Sequence, residues 1–171
     1  MSEPRLRVLR IVEGTSVDGP GLRTSIYFAG CAHHCPGCHN PQSWDFGAGS
    51  PMSVAEIMAV IDYNGADVTF SGGDPFYQST AAAVLAAEIK KRGLGLWVFT
   101  GFLLDELLAA EAPEGARRLL EYVDVLVDGP YVAALRDTSL LFRGSSNQRL
   151  IDLQAMRATG TTAPILWSPS F

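Results

Sequence analysis

The sequence predicts an α/β fold: a mostly parallel sheet with helices on its outside, arranged as an open, partial β/α barrel. Three observations carry this. Short apolar, β-branched segments alternate with amphipathic helical ones, the order that builds parallel sheets through helical crossovers. The chain has 171 residues, too few for the eight βα units of a closed barrel. Each predicted strand also ends in a chemically distinctive group, as expected where sites gather at the carboxyl edge of a parallel sheet. With 47% hydrophobic residues the chain suits one domain with its own core, spanning 1–171.

Residues 5–12 alternate well enough to form the first strand. Residues 24–29, β-branched and aromatic, form the second and run straight into Gly30 and Cys31. A cysteine-containing loop then extends to about Pro51. Ser53-Val-Ala-Glu56 has the form of a capping box, and Val54, Ile57, Met58 and Ile61 mark one buried face of the helix it opens. Residues 67–70 form a strand ending in Ser71-Gly-Gly-Asp-Pro75, and 80–92 an Ala-rich helix stopped by Gly93. Residues 96–99 are a buried strand ending in Thr100-Gly101. Residues 103–111 and 114–122 are helical, separated by Pro113, and 123–127 form a strand ending in Asp128-Gly129. Beyond Asp137, residues 140–142, 150–153 and 165–167 read as further strands or packing segments.

Composition excludes several functions. Eighteen acidic and 13 basic residues give a net charge of −5, and the basic residues are scattered apart from pairs such as Lys90-Lys91 and Arg117-Arg118. Without a basic stripe, nucleic acid is not an expected partner. No apolar run approaches a membrane span, so no membrane is expected either. The first residues lack the apolar run and cleavage site of a signal peptide, and the three cysteines are an odd number gathered in one loop. Both features point to a reducing compartment, the cytoplasm.

Those cysteines form Cys31-Ala-His-His-Cys35-Pro-Gly-Cys38, a C-x3-C-x2-C pattern. Three thiolates with no fourth can hold three irons of a [4Fe–4S] cubane and leave one iron open. Zinc stands beside this reading, because His33, His34 or His39 would complete a Cys3His site. The Gly72-Gly73-Asp74-Pro75 turn at the next strand's end favours the cluster, since zinc has no use for it. Its glycines let backbone approach a ligand closely, Asp74 can accept a bond from an ammonium group, and Pro75 fixes the turn.

The cysteine loop and the Gly-Gly-Asp-Pro turn together resemble the radical S-adenosylmethionine superfamily. Asp18-Gly-Pro-Gly-Leu-Arg23 and Cys38-His-Asn-Pro-Gln-Ser-Trp-Asp45 are similar to the glycyl-radical activating enzymes within it. Three later segments resemble the branch that serves anaerobic ribonucleoside-triphosphate reductase. They are Val98-Phe-Thr-Gly-Phe-Leu-Leu-Asp-Glu-Leu107, Val125-Leu-Val-Asp-Gly-Pro-Tyr131 and Asp137-Thr-Ser-Leu-Leu-Phe-Arg-Gly-Ser-Ser-Asn-Gln148.

The resemblance implies a radical SAM type of partial barrel in which Cys31, Cys35 and Cys38 ligate a [4Fe–4S] cluster. It implies that S-adenosylmethionine chelates the open iron and runs past Gly37, Cys38 and His39. Gly72, Gly73 and Asp74 would hold the methionyl amino group, and Thr100 would reach the ribose or cap the following helix. No catalytic group is implied beyond the cluster and cofactor site. The implied reaction is reductive cleavage of the cofactor, the resulting radical taking hydrogen from a glycine of the reductase. A flavodoxin-like protein is the implied electron donor. Alternatives are activation of another glycyl-radical enzyme such as pyruvate formate-lyase, chemistry on a small molecule, or a non-catalytic zinc-binding module.

Two departures from the superfamily pattern stand out. The residue before the last cysteine is usually aromatic and here is Gly37, so a ring against adenine must come from His39 or Phe76. The turn carries Asp74 where Glu is usual. Arg23 is expected to pair with Asp18 or a cofactor carboxylate. Asp128 is expected to contact the cofactor or shape its turn, and Arg143 and Asn147 to bind cofactor or partner or to form a structural network. Trp44, Trp97 and Trp167 are expected to be packing residues.

Overall fold

In a computed structural model describing residues 3–169, seven strands form one open sheet in the order β3-β1-β2-β4-β5-β6-β7. The strands are β1 (Arg5–Thr15), β2 (Arg23–Phe28), β3 (Ser50–Ser53), β4 (Asp67–Gly72), β5 (Leu96–Phe99), β6 (Val125–Asp128) and β7 (Arg149–Asp152). The helices are α1 (Val54–Asn64), α2 (Ser79–Lys91), α3 (Leu104–Leu108), α4 (Ala116–Leu120) and α5 (Leu153–Thr159). The expected domain of 1–171 includes residues 1, 2, 170 and 171, which lie outside the described residues.

The sheet is parallel only in its middle. β2, β4, β5 and β6 pair in parallel, whereas β1 is antiparallel to both β2 and β3, and β7 is antiparallel to β6. Connection length explains the flank: residues 16–22 between β1 and β2 are too few for a crossover, so the chain turns back on itself. The helices make the crossovers between the parallel strands.

Alternation along each strand separates two faces. Ile26 and Phe28 of β2, Val68 and Phe70 of β4, Leu96 and Val98 of β5, and Leu126 of β6 pack with α1 and α2 in the main core. α1 begins as expected: the Glu56 amide donates to Ser53 Oγ at 3.0 Å and the Ser53 amide donates to Glu56 Oε2 at 2.7 Å. Such a cap stabilises a helix by about 1 kcal/mol. α3 and α4 are shorter than their sequences suggest. Gly115 takes a left-handed φ of 84° and lies where a Cβ would meet the Thr80 backbone at 2.8 Å, which delays α4 to Ala116.

The opposite face is divided. Its β5–β6–β7 half is apolar: Trp97, Val125, Val127 and Leu150 pack with Phe99, Phe142 and Trp167. Trp97 and Trp167 meet edge to face at 4.9 Å, so both are packing residues, and Trp44 stacks on His34 at 4.6 Å. Residues 165–167 bridge to β7, with Ile151 opposite Leu166, while Phe142 sits outside any strand at a positive φ of 59°. The β2–β4 half is polar yet buried, with Arg23, Ser25 and Thr69 2% exposed or less.

The Asp18–Arg23 motif braces that polar half. Arg23 donates to Thr69 Oγ1 (2.9 Å), the Val68 carbonyl (2.9 Å) and the Pro20 carbonyl (3.1 Å), and its ion pair is with Asp67 at 3.8 Å. Neither expected partner applies: Asp18 instead accepts from the Tyr27 hydroxyl at 2.6 Å. Burial lowers the Arg23 pKa, opposed by the charges of Asp67, Asp124 and Asp18.

Candidate functional site

Four loops converge at the carboxyl ends of β2, β4, β5 and β6 around a cavity of about 240 Å³. The first loop is the cysteine loop. It closes on itself because Gly30 donates to the Ser43 carbonyl at 2.7 Å and Cys31 to the Trp44 carbonyl at 3.3 Å. Within it, the Cys38 amide donates to the Cys35 carbonyl at 3.0 Å, with Pro36 and Gly37 at the two central positions. Gly37 has φ 78°, so Cys-Pro-Gly-Cys is a type II turn, whose third position calls for glycine. The missing aromatic before the last cysteine thus has a local cause. The residue that would carry the ring is held left-handed by the turn.

Cys31, Cys35 and Cys38 are free, half-buried, and all three face the cavity. Two sulfurs bound to one zinc at 2.3 Å with tetrahedral geometry stand about 3.8 Å apart. Among the described residues no three His, Cys, Asp or Glu side chains gather tightly enough for one ion. A cubane makes a different demand, since each thiolate binds a different iron and the three sulfurs stand farther apart. Three free thiols facing one cavity are a donor set that suits a cluster held by three thiolates. Burial pushes the Cys31 thiol up to about 11, and the nearby charges of Asp74 and Cys35 add to this, against the lowering effect of the neighbouring His33 and His34 backbone amides. A metal bound there must displace that proton.

The second loop carries Gly72 and Gly73, which form part of the cavity wall. Their need for glycine comes from the protein itself. A Cβ on Gly72, which has φ 97°, would lie 2.3 Å from the Phe28 amide nitrogen, and one on Gly73 would lie 2.5 Å from the Gly30 carbonyl oxygen. Asp74 is fully buried and is not among the residues facing the cavity. Its carboxylate accepts from His33 Nε2 (2.7 Å), Thr100 Oγ1 (2.8 Å) and the amides of Gly101 (2.9 Å) and Phe76 (3.0 Å).

Thr100, at the end of β5, lines the cavity, but its hydroxyl donates to Asp74 and accepts from the Phe102 amide at 3.1 Å. Asp128 is fully buried below the site. It receives Nε and Nη2 of Arg149 at 3.0 and 2.5 Å and the Leu104 amide at 2.9 Å, so it ties β6 to β7 and to the start of α3.

Of the two rings expected near a cofactor, His39 faces the cavity and Phe76 lies in the main core. Tyr131 joins His39, with ring centroids 5.2 Å apart. Sequence reasoning missed Tyr131 as a site residue. Its signal was the Asp-Gly-Pro turn that carries it off the end of a parallel strand. The fourth wall is the 143–148 segment, laced to the Gly129–Pro130 turn: Gln148 Nε2 donates to the Gly129 carbonyl (3.1 Å) and Asn147 Nδ2 to the Pro130 carbonyl (2.7 Å). Arg143 faces the cavity, donates through Nη1 to the Gln148 carbonyl at 2.6 Å, and keeps a buried Nε without a partner. Among the described residues it has no carboxylate within 4.0 Å.

No helix among the described residues is long and apolar enough to cross a membrane. A protein-family profile described as a 4Fe-4S single cluster domain matches residues 17–151, which include the cysteine loop and all four walls. The chain is 38% identical over 142 residues to the anaerobic ribonucleoside-triphosphate reductase-activating protein of Escherichia coli K12, covering 77% of this chain and 89% of that one. The activating protein of Haemophilus influenzae is 35% identical, with 77% and 88% covered. That of Enterobacteria phage T4 is 32% identical over 149 residues, with 82% and 90% covered. With three free cysteines facing one cavity inside the matched 4Fe-4S domain, the chain belongs to the family of anaerobic ribonucleoside-triphosphate reductase-activating proteins.

Proposed function

We propose that the protein is a radical SAM activase of anaerobic ribonucleoside-triphosphate reductase, acting on a glycine of its glycyl-radical subunit. In this reading the open sheet is the wall of a partial β/α barrel, residues 1–171 form one domain, and the protein works in the cytoplasm with a flavodoxin-like electron donor. The observation that carries it is three free cysteines, with no fourth, facing a cavity shared with Gly72 and Gly73 in a chain of the activating family. The bound groups would supply the chemistry: one electron from the reduced [4Fe–4S] cluster splits S-adenosylmethionine into methionine and a 5′-deoxyadenosyl radical, which takes a hydrogen atom from the glycine to give 5′-deoxyadenosine and the glycyl radical.

The chain's own part is to bind and orient. Cys31, Cys35 and Cys38 hold three irons and, having no fourth partner, leave one coordination site to the cofactor. The backbone of Gly72 and Gly73 borders the cofactor's amino group, with Asp74 beneath them. Thr100 forms the floor on the ribose side. Gly37 and Cys38 lie along the cofactor's path, and His39 with Tyr131 offers ring surface to the adenine. Arg143, with no carboxylate within 4.0 Å among the described residues, is a cation available to a carboxylate.

The test is anaerobic. Reduced, reconstituted protein is mixed with S-adenosylmethionine and the reductase, and spin resonance reads the glycyl radical. A radical on the reductase, absent with pyruvate formate-lyase as the swapped partner, is the expected result. Cofactor cleavage without a radical on the reductase rejects this partner, and an iron-replete C35A variant that still cleaves the cofactor rejects the ligand assignment. A colourless preparation containing zinc and no sulfide rejects the cluster.

A further inference from the structure

Asp74 is fully buried, does not face the cavity, and is already met by protein donors. A carboxylate offers about four lone-pair positions, and four protein donors reach this one: His33 Nε2, Thr100 Oγ1 and the amides of Gly101 and Phe76. Three of them belong to the ends of β4 and β5. The fourth is different in kind, because His33 lies inside the cysteine loop, two residues beyond Cys31.

The His33 ring lines the cavity and is held by three further contacts. Nε2 lies 2.7 Å from Asp74 Oδ2 and, facing a carboxylate, is the donor. Phe102 packs against the ring edge to face at 4.5 Å, and Tyr77 lies 5.6 Å away. Beneath the ring is Gly101, where a Cβ would come within 2.6 Å of His33 Cδ2. The Cys31 thiol lies beside this contact, two residues before His33 and near the Asp74 charge.

We propose that Asp74 acts through His33 rather than on the cofactor. The Asp74–His33 contact is a clasp that locks the first half of the cysteine loop, next to Cys31, onto the ends of β4 and β5. The proposal rests on the cluster reading above. It makes Asp74 and His33 positioning residues and leaves the amino-group contact to the glycine backbone. Net charge and solvent exposure around a cluster are among the determinants of its potential, so a clasp that fixes the loop beside Cys31 also acts on how readily the cluster accepts an electron.

The experiment compares wild type with Asp74→Asn, with His33→Phe, which keeps a ring but loses the donor, and with His33→Gln, which restores an N–H. In the metal-free protein, hydrogen exchange of residues 31–35 reads the clasp independently of any cluster. Asn and Phe should raise exchange there about tenfold, as loss of a bond to a charged group implies, and Gln should recover part of it. The double variant Asp74→Asn, His33→Phe should go no further than either single one, because both remove the same contact.

In reconstituted protein the same variants should shift the cluster's midpoint potential, while equilibrium binding of S-adenosylmethionine changes by less than about threefold. If Asp74→Asn weakens cofactor binding tenfold and leaves exchange at 31–35 and the potential unchanged, the clasp is overturned and Asp74 is a cofactor ligand. A wild type that takes up no iron and sulfide overturns the functional reading alone, since the exchange measurement still stands or falls on its own.

Discussion

Gly73→Ala separates two explanations of the Gly-Gly turn. A Cβ at this position would lie 2.5 Å from the Gly30 carbonyl oxygen, 2.9 Å from its carbon and 3.0 Å from its nitrogen, all backbone atoms. Carbon–oxygen contacts ordinarily begin near 3.3 Å, so the chains must part by about 0.8 Å. That opening would stretch the bond from the Asp74 amide to the Gly30 carbonyl, now 2.9 Å, to about 3.7 Å, beyond hydrogen-bond range. The neighbouring bond from the Gly73 amide to the Phe28 carbonyl, at 2.7 Å, is strained with it. Overpacking costs about 1–3 kcal/mol and each lost buried backbone bond about 1 kcal/mol, giving a destabilisation of about 2–4 kcal/mol. With a urea m-value of about 2 kcal/mol/M, the midpoint of metal-free protein under reducing conditions should fall by about 1–2 M. Gly47→Ala is the control. Its Cβ would meet only Asp45 Oδ1 at 3.3 Å, and its effect should stay within about 0.5 kcal/mol. A metal-free Gly73→Ala protein with the wild-type midpoint would refute the steric account and return the glycine to a purely ligand-facing role.

Two further outcomes test how the site is held. Asp128→Asn leaves the buried Leu104 amide and two donors of the part-exposed Arg149 facing a neutral amide, so stability should drop by about 1–2 kcal/mol in urea unfolding; a change below about 0.5 kcal/mol would show that the pairing with Arg149 and the Leu104 amide contributes little. Tyr27 is pushed up to about 12, first by burial and then by its bond to Asp18. The unfolded tyrosine titrates near 10, so its contribution is complete below about pH 10 and is lost as pH rises towards 12. Tyr27→Phe should therefore flatten the alkaline arm of a stability–pH profile, and an unchanged arm would assign that loss to other groups.

The strands and helices of the parallel middle of the sheet were legible because apolar periodicity and helix caps are local properties. Ser53 and Glu56 advertise α1 within four residues, and Gly93 stops the following helix as its left-handed φ of 72° requires. The antiparallel flanks were not legible in the same way. β3 is four residues long, includes Pro51, and exists through its pairing with β1. β7 needs β6 beside it, and α5 begins only where the Asp152 side chain accepts from the Ala155 amide. Of the site, the cysteines and the Gly-Gly turn could be read directly, since three thiols at short spacing have few other uses. The partners of Asp74, Arg23 and Asp128 could not, because a buried acid or base is indistinguishable in sequence from one that meets a ligand.

That ambiguity has a physical root. A ligand-facing wall and the layer that holds it ask for the same residue types: glycines for close approach, carboxylates for fixed N–H donors, histidine for a directional bond. In this chain the two layers interleave along single motifs. Gly72 and Gly73 border the cavity while their missing side chains make room for β2 and Gly30; one residue later, Asp74 turns wholly inward. His33 does both at once, tied to Asp74 while it lines the cavity, and His39 pairs with Tyr131 on the same cavity. An open iron demands such a division. A cluster with three protein ligands has one unligated corner, so its position must be fixed by the loop that carries the cysteines. The groups that fix that loop are of necessity adjacent to the groups that meet the cofactor. Substitutions in these motifs should therefore be read on metal-free protein first, where holding and binding separate, and only then on the loaded enzyme.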